Sequence, residues 1–302
     1  MCISTTYCSV SDDDAVLHSL STKKATFMKQ ILSFSFIVLL PLVMLLSGCE
    51  QQPVQVLPQR AWTLTWSDEF DGASGSGPDK SKWTFDIGTG NNGWGNSELE
   101  YYTDRPTNVQ LNGEGQLVIT AKRESFGGSG YTSARIKTQG LFSQTYGRFE
   151  ARLKTPTGPG IWPAFWLLGD NISEVSWPQC GEIDIMEQRG QQPAVTHGSV
   201  HGPGYFGANA KTKAYGLMSG RFDTDFHVYA IEWGESYIDF FIDDYLFQRI
   251  TPSDLTGEWV FNKPFFMILN VAVGGNYVGY PTKDTPFPQS MIIDYVRVYK
   301  QS

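Results

Sequence analysis

Arg148-Phe149-Glu150-Ala151-Arg152-Leu153-Lys154 alternates without a break. Phe149, Ala151 and Leu153 fall on one side, and Arg148, Glu150, Arg152 and Lys154 on the other. That period of two defines a strand with one buried face. Working outward, apolar and aromatic runs recur at 116–121, 146–154, 226–233, 237–242, 265–271 and 291–299. Clusters of Gly, Pro, Asn and Asp punctuate them, and no stretch holds a 3.6 period for more than two turns. Many short strands with regular turn signals predict an all-β domain, either a sandwich or a barrel. A span of ~240 residues is an ordinary size for one such domain. There is no internal repeat and no second composition regime.

The chain has 302 residues, of which 41% are hydrophobic, 14% aromatic and 18% charged, with 9 Trp and a net charge of −8. It has enough apolar residues for a sizeable core and is not disordered. The negative balance argues against a nucleic-acid partner. An aromatic-rich, charge-poor chain suits an uncharged or weakly basic ligand with flat apolar faces, a description that sugars meet.

The first fifty residues read as an export signal. Lys23, Lys24 and Lys29 precede an uncharged stretch, 30–49, whose apolar part is 31–46. A basic flank, a short apolar run and a small-residue end make a secretory signal. Leu46-Ser47-Gly48-Cys49 resembles the lipobox of bacterial lipoproteins, which implies cleavage before Cys49 and acylation of that residue. Several acyl chains hold a protein on a membrane where one does not. The alternative is an uncleaved anchor, but the run is short of the ~20 residues a span needs and contains Pro41. Asp12-Asp13-Asp14 is foreign to a signal, so translation is expected to start at Met28. Cys2 and Cys8 then leave the mature chain, and Cys49 and Cys180 form no disulfide. Segment 1–49 is therefore read as the signal region, 50–60 as a polar tether and 61–302 as the folded domain. Glu50 after the cysteine lacks the aspartate of many inner-membrane lipoproteins, so the outer membrane is expected where a cell has two.

Two patterns mislead. Gly88 to Gly93 matches G-x-G-x-x-G, but Trp94-Gly95-Asn96 is a poor helix start for a dinucleotide site. His197 and His201 are four apart, as in a zinc helix, yet Gly198-Ser199-Val200 between them is strand material. On a strand both histidines share a face.

The chemistry concentrates in Gly181-Glu182-Ile183-Asp184-Ile185-Met186-Glu187. A doubly buried strand is continuously apolar; Ile183, Ile185 and Met186 fit that and the three acids do not. Burying three carboxyls is costly unless they line a wet cleft. Glu182 and Asp184 share a face, and Glu187 falls opposite in a regular strand. A β-bulge at Ile185-Met186 returns it to the same face. The Cα atoms of Glu182 and Glu187 then lie ~13 Å apart at ~3.3 Å per residue. Inward-leaning side chains can close most of that toward the ~5–5.5 Å of a retaining glycosidase. Crowding raises at least one pKa, as a general acid requires. The alternative is a cation site, although calcium ligands more often come from a Gly- and Asn-bearing loop.

At this motif the sequence resembles glycoside hydrolase family 16, in particular the laminarinase-like endo-β-1,3-glucanases with the signature E-x-D-x-x-E; the lichenase-like branch lacks the extra residue. Trp66-Ser67-Asp68-Glu69-Phe70, Glu98-Leu99-Glu100-Tyr101-Tyr102-Thr103, Gly160 to Trp166, Asn270 to Gly275 and Asp294 to Tyr299 resemble the same group. The resemblance spans about 62–300. It implies a β-jelly-roll sandwich with a concave cleft, Glu182 as nucleophile, Glu187 as acid/base, and Asp184 tuning both. It also implies a substrate-contacting Arg135, an Asn96 that reaches sugar hydroxyls, and His201 beside the acid/base, where a satisfied structural histidine is the alternative. Trp162 and Trp166 share a strand face, and aromatic faces stack on sugar C–H surfaces; core packing is their other reading. Glu69 and Asp294 match motifs near which relatives hold a structural calcium, with a salt-bridge role as the alternative. No cofactor is expected for catalysis.

The expected activity is retaining endo-hydrolysis of β-1,3-glucan. Mixed-linkage glucanase, agarase-like or transglycosylase chemistry, and a non-catalytic glucan-binding protein, are the alternatives. The expected partners are the polysaccharide and a membrane, with no nucleic acid and no protein partner evident.

Overall fold

The structure, a computed structural model, describes Gln55 and residues 59–302. The expected signal region, Cys49 and most of the tether lie outside the described residues.

Seventeen strands are described. The first eight are β1 (Trp62–Asp68), β2 (Thr84–Asp86), β3 (Glu100–Tyr102), β4 (Val109–Leu111), β5 (Leu117–Phe126), β6 (Ser129–Ser133), β7 (Arg135–Lys137) and β8 (Gly147–Lys154). Then come β9 (Ile161–Gly169), β10 (Glu182–Glu187), β11 (Val195–His201), β12 (Lys211–Gly216), β13 (His227–Gly234), β14 (Tyr237–Ile242), β15 (Tyr245–Ile250), β16 (Phe265–Val273) and β17 (Gln289–Gln301). All six apolar runs named above are strands. Two sheets form a sandwich. The ten-stranded sheet runs β15-β14-β13-β8-β17-β5-β6-β3, with β1 on β17 and β4 on β5; the seven-stranded sheet runs β12-β11-β10-β9-β16-β7-β2.

The alternating segment is β8, in the middle of the larger sheet between β13 and β17. Phe149, Ala151 and Leu153 are fully buried and belong to one core with Phe165, Leu167, Ile183, Met186, Leu269 and Val271 of the facing sheet. Trp233 on β13 meets Phe265 on β16 edge to face at 5.3 Å, tying the sheets together. β16 is buried along its whole length, the signature of a strand covered on both faces.

The larger sheet's outer face carries buried acids, and these explain one shift in the domain boundary. Glu232 and Asp239 need cations to be held there. Arg60, assigned to the tether by the sequence, supplies one. It pairs with Glu232, lies 3.6 Å from Asp239, and stacks 4.6 Å from the Tyr237 ring centroid. The folded domain thus reaches back to Arg60.

Candidate active site

β10 is the third strand of the smaller sheet, between β9 and β11. The turn into it is fixed by Gly181, whose φ is +76° and whose added Cβ would meet the Phe265 ring at 2.9 Å. Along β10, Asp184 pairs with Trp166 and the next paired residue, Met186, with Phe165. Ile185 is the extra residue, and the expected bulge is present. Ile183, Ile185 and Met186 are buried, while Glu182, Asp184 and Glu187 all line one cleft of about 880 Å³. The cleft lies on the outer face of the smaller sheet, since the alternate residues of β9 and β10 fill the core.

Protons in this row are distributed unevenly. Burial raises the Glu182 carboxyl, but the charge of His201 and hydrogen bonds from Asp184 and Trp177 hold it down. Burial and the Glu182 charge push Asp184 up to about 7, and its proton points at Glu182. Burial and the Asp184 charge push Glu187 up to about 8, against the opposing hydrogen bond from Trp162. Glu187 therefore keeps its proton near neutral pH, while Glu182 is the carboxyl that the His201 charge and its hydrogen bonds draw back toward ionisation. That separation of two carboxyls is what assigns base and acid roles.

His201 does not pair with the acid/base. The β10–β11 ladder sets it opposite Glu182 and sets His197 opposite Glu187. This corrects the position implied by the resemblance, and the cause is antiparallel register. His201 Nε2 lies 3.0 Å from Asp184 Oδ2 and 3.8 Å from Glu182 Oε1. Its Nδ1 accepts the Gly207 N–H at 3.1 Å, which fixes the Nε2–H tautomer. Burial lowers its pKa, yet the three acids outweigh that and raise it to about 10; the Gly207 amide opposes the second proton. Glu182, Asp184 and His201 bring ligand atoms within 4.8 Å of one another.

The walls are aromatic. Trp162 donates Nε1–H to Glu187 Oε1 at 3.0 Å, and Trp166 donates to Asn270 Oδ1 at 2.8 Å. Both tryptophans line the cleft. Arg135 is held by Asp86 at 2.9 Å, and its guanidinium lies 4.8 Å from the rings of both Trp94 and Trp166. Asn96 lines the cleft and reaches Glu98 at 3.4 Å.

Sequence reasoning missed several lining residues. Trp177 bonds Glu182 and faces His201 at 6.0 Å. Tyr277 packs on Trp162 at 5.0 Å and bonds His197 Nδ1 at 2.9 Å. Arg189, two residues past the acid/base, covers the Tyr277 ring at 4.4 Å. These come from loops; the surplus of aromatics pointed to Trp177 and Tyr277, and no sequence signal to Arg189.

The Trp162 hydrogen bond is directly testable. Trp162→Phe keeps an aromatic ring and removes the N–H that stabilises ionised Glu187. The alkaline limb of kcat/KM moves up by about one pH unit. A limb that stays in place overturns the coupling.

Glu69 and Asp294 are each paired with an arginine. Glu69 is doubly bonded to Arg297, at 3.0 and 2.7 Å, and Asp294 to Arg152 at 2.6 Å. Among the described residues neither joins a group of three metal-ligating side chains. The arginines give both side chains the salt-bridge role named above as the alternative.

A β-sandwich with a row of three acids in an aromatic cleft defines a carbohydrate-cleaving enzyme built on paired carboxylates. Comparison with known proteins narrows the class. The chain belongs to glycosyl hydrolases family 16, whose family-wide sequence profile matches residues 96–297. It is 46% identical over 249 residues to the "Beta-glucanase" of Rhodothermus marinus, across 79% of this chain and 85% of that one. Among solved structures, the laminarinase catalytic domain of Thermotoga maritima MSB8 aligns with a TM-score of 0.75 and 48% identity, over 80% of this chain and 99% of that one. The endo-beta-1,3-glucanase of Pyrococcus furiosus aligns at 0.76 and 46%, over 80% and 96%.

Proposed function

We propose that the protein is a retaining endo-β-1,3-glucanase acting on laminarin-type glucan. One observation carries the reading: Glu182 and Glu187 share a cleft face on one strand, with Asp184 between them. Glu182 attacks the anomeric carbon as protonated Glu187 donates to the leaving oxygen, giving a glycosyl-enzyme. Glu187, now ionised, takes a proton from water, which attacks the same carbon and releases Glu182. Trp162 and Tyr277 hold the acid/base side, and Trp94, Arg135 and Trp166 form a flat-walled flank for glucosyl rings. The names of the relatives support β-1,3-glucan as substrate.

We further propose that the chain is exported and held on the membrane by acylated Cys49, in the outer membrane where two exist. The Leu46-Ser47-Gly48-Cys49 run supports this. Metabolic labelling with a fatty acid checks it: label lost in Cys49→Ala is the expected result, and label retained overturns it.

Product analysis tests the activity. Soluble protein from Gln51 to Ser302 is offered laminarin, mixed-linkage glucan, cellulose and agarose. Early release of short oligosaccharides from laminarin is expected. Cleavage of agarose alone, or of mixed-linkage glucan alone, replaces the substrate. Tight laminarin binding without cleavage of any polymer replaces the enzyme by a recognition protein.

A further inference from the structure

The Trp166 indole is tied into a line of hydrogen bonds that leads away from the acids and back to the cleft. Trp166 Nε1–H donates to Asn270 Oδ1 at 2.8 Å. The Asn270 Nδ2–H donates to the Tyr102 hydroxyl oxygen at 3.1 Å, and the Tyr102 O–H donates to Glu98 Oε2 at 3.2 Å. Every donor points the same way, and the line ends on a carboxyl in the cleft wall. Behind Glu98 sits Glu100, fully buried, its Oε2 accepting the Val273 N–H at 2.6 Å. Tyr102 also packs against Trp94 at 5.6 Å between ring centroids. Both tryptophans that sandwich Arg135 are thus fastened to the same tyrosine: Trp166 through Asn270, and Trp94 by ring contact.

We propose that Tyr102 and Asn270 are positioning residues that lock Trp94, Arg135 and Trp166 into one preformed wall for a glucosyl unit, with Glu98 as the terminal acceptor. The proposal rests on the glucanase reading for its ligand, a neutral glucosyl chain. The argument is geometric. Tyr102 is fully buried and Asn270 is 6% exposed, so Tyr102 cannot touch a sugar. An indole held only by stacking can slide in its plane, whereas an indole with its N–H bonded to a fixed amide cannot. The Asn270 orientation is in turn fixed, because its amide must accept from Trp166 and donate to Tyr102. Preorganisation of this kind lowers the ordering cost of binding and leaves the chemistry at the acid row untouched.

Tyr102→Phe tests it, since only the hydroxyl is lost. KM for laminarin is expected to rise about tenfold with a smaller change in kcat, the scale of one lost hydrogen bond. Glu98→Ala is expected to raise KM as well, and Glu98→Gln to restore it, because the amide oxygen still accepts from Tyr102. Tryptophan fluorescence titrated with laminarihexaose, in a Glu182→Ala background, reads the wall without turnover and should weaken in step with KM. An unchanged KM and an unchanged titration in Tyr102→Phe overturn the proposal, as does a fall in Tm with kcat and KM otherwise intact. Wild-type protein that binds the hexaose and cleaves nothing refutes the glucanase reading instead, and the titration still decides the wall.

Discussion

Glu182→Ala is expected to lower laminarin cleavage by about 10⁵-fold or more, the scale on which enzymes lose rate when a covalent nucleophile is removed. Binding persists, because the aromatic walls do not depend on that carboxyl. The variant also tests the proton arrangement. Asp184 is raised first by burial and next by the Glu182 charge. Without that charge, and without Glu182 as acceptor for its proton, Asp184 moves back toward the ordinary carboxylate range. With an activated aryl glycoside and added azide, the small anion fills the space left by the side chain and yields a glycosyl azide of inverted configuration. Proton magnetic resonance of wild-type products, read before mutarotation, should display the retained anomer first. Inverted products from the wild type, or cleavage by the variant at near wild-type rate, remove Glu182 from the nucleophile role.

The second large effect lies in pH. Activity needs Glu182 ionised and Glu187 protonated. Glu187 is raised to about 8, by burial first and then by the Asp184 charge. As pH climbs through that value the acid is lost, and kcat/KM falls tenfold per unit. On the acid side, kcat/KM falls as Glu182 gains a proton. Burial raises that limb above the ordinary carboxylate range, against the charge of His201 and the hydrogen bonds from Asp184 and Trp177. Glu187→Gln removes the alkaline limb and lowers polymer cleavage by about 10²–10⁴. An aryl glycoside with a good leaving group needs no protonation, so its glycosylation step is spared. An alkaline limb that survives unchanged in Glu187→Gln belongs to another group.

Much of this architecture was legible in single residues. The period of two in β8 placed Phe149, Ala151 and Leu153 in the core, as observed. The mismatch between Glu187 and the other acids called for one extra residue, and the ladder places it at Ile185. These features are local, so spacing alone exposes them. What spacing could not expose depends on register or on loops. His197 and His201 share a strand, and nothing in either fixes which one meets Glu182; the pairing of β10 with β11 decides that. Trp177, Arg189 and Tyr277 reach the cleft from connections whose course follows no period. Glu98, Tyr102 and Asn270 read as scattered polar residues until the fold sets them in line. Arg60 looked like tether because the acids it neutralises lie more than 170 residues away.

The bulge at Ile185 has a consequence for how this strand can change length. In a regular strand, gaining or losing one residue turns every side chain beyond that point to the opposite face. Here Ile185 already occupies a place that has no partner of its own. Its deletion would leave Glu182, Asp184 and Glu187 at successive alternate positions of an ordinary ladder, still facing the cleft, with Met186 still in the core. A deletion at Ile183 would instead turn Glu182 toward the core. Strand β10 therefore has one position at which a deletion leaves all three acids facing the cleft. At that point the length of the catalytic strand is uncoupled from the direction in which its acids face.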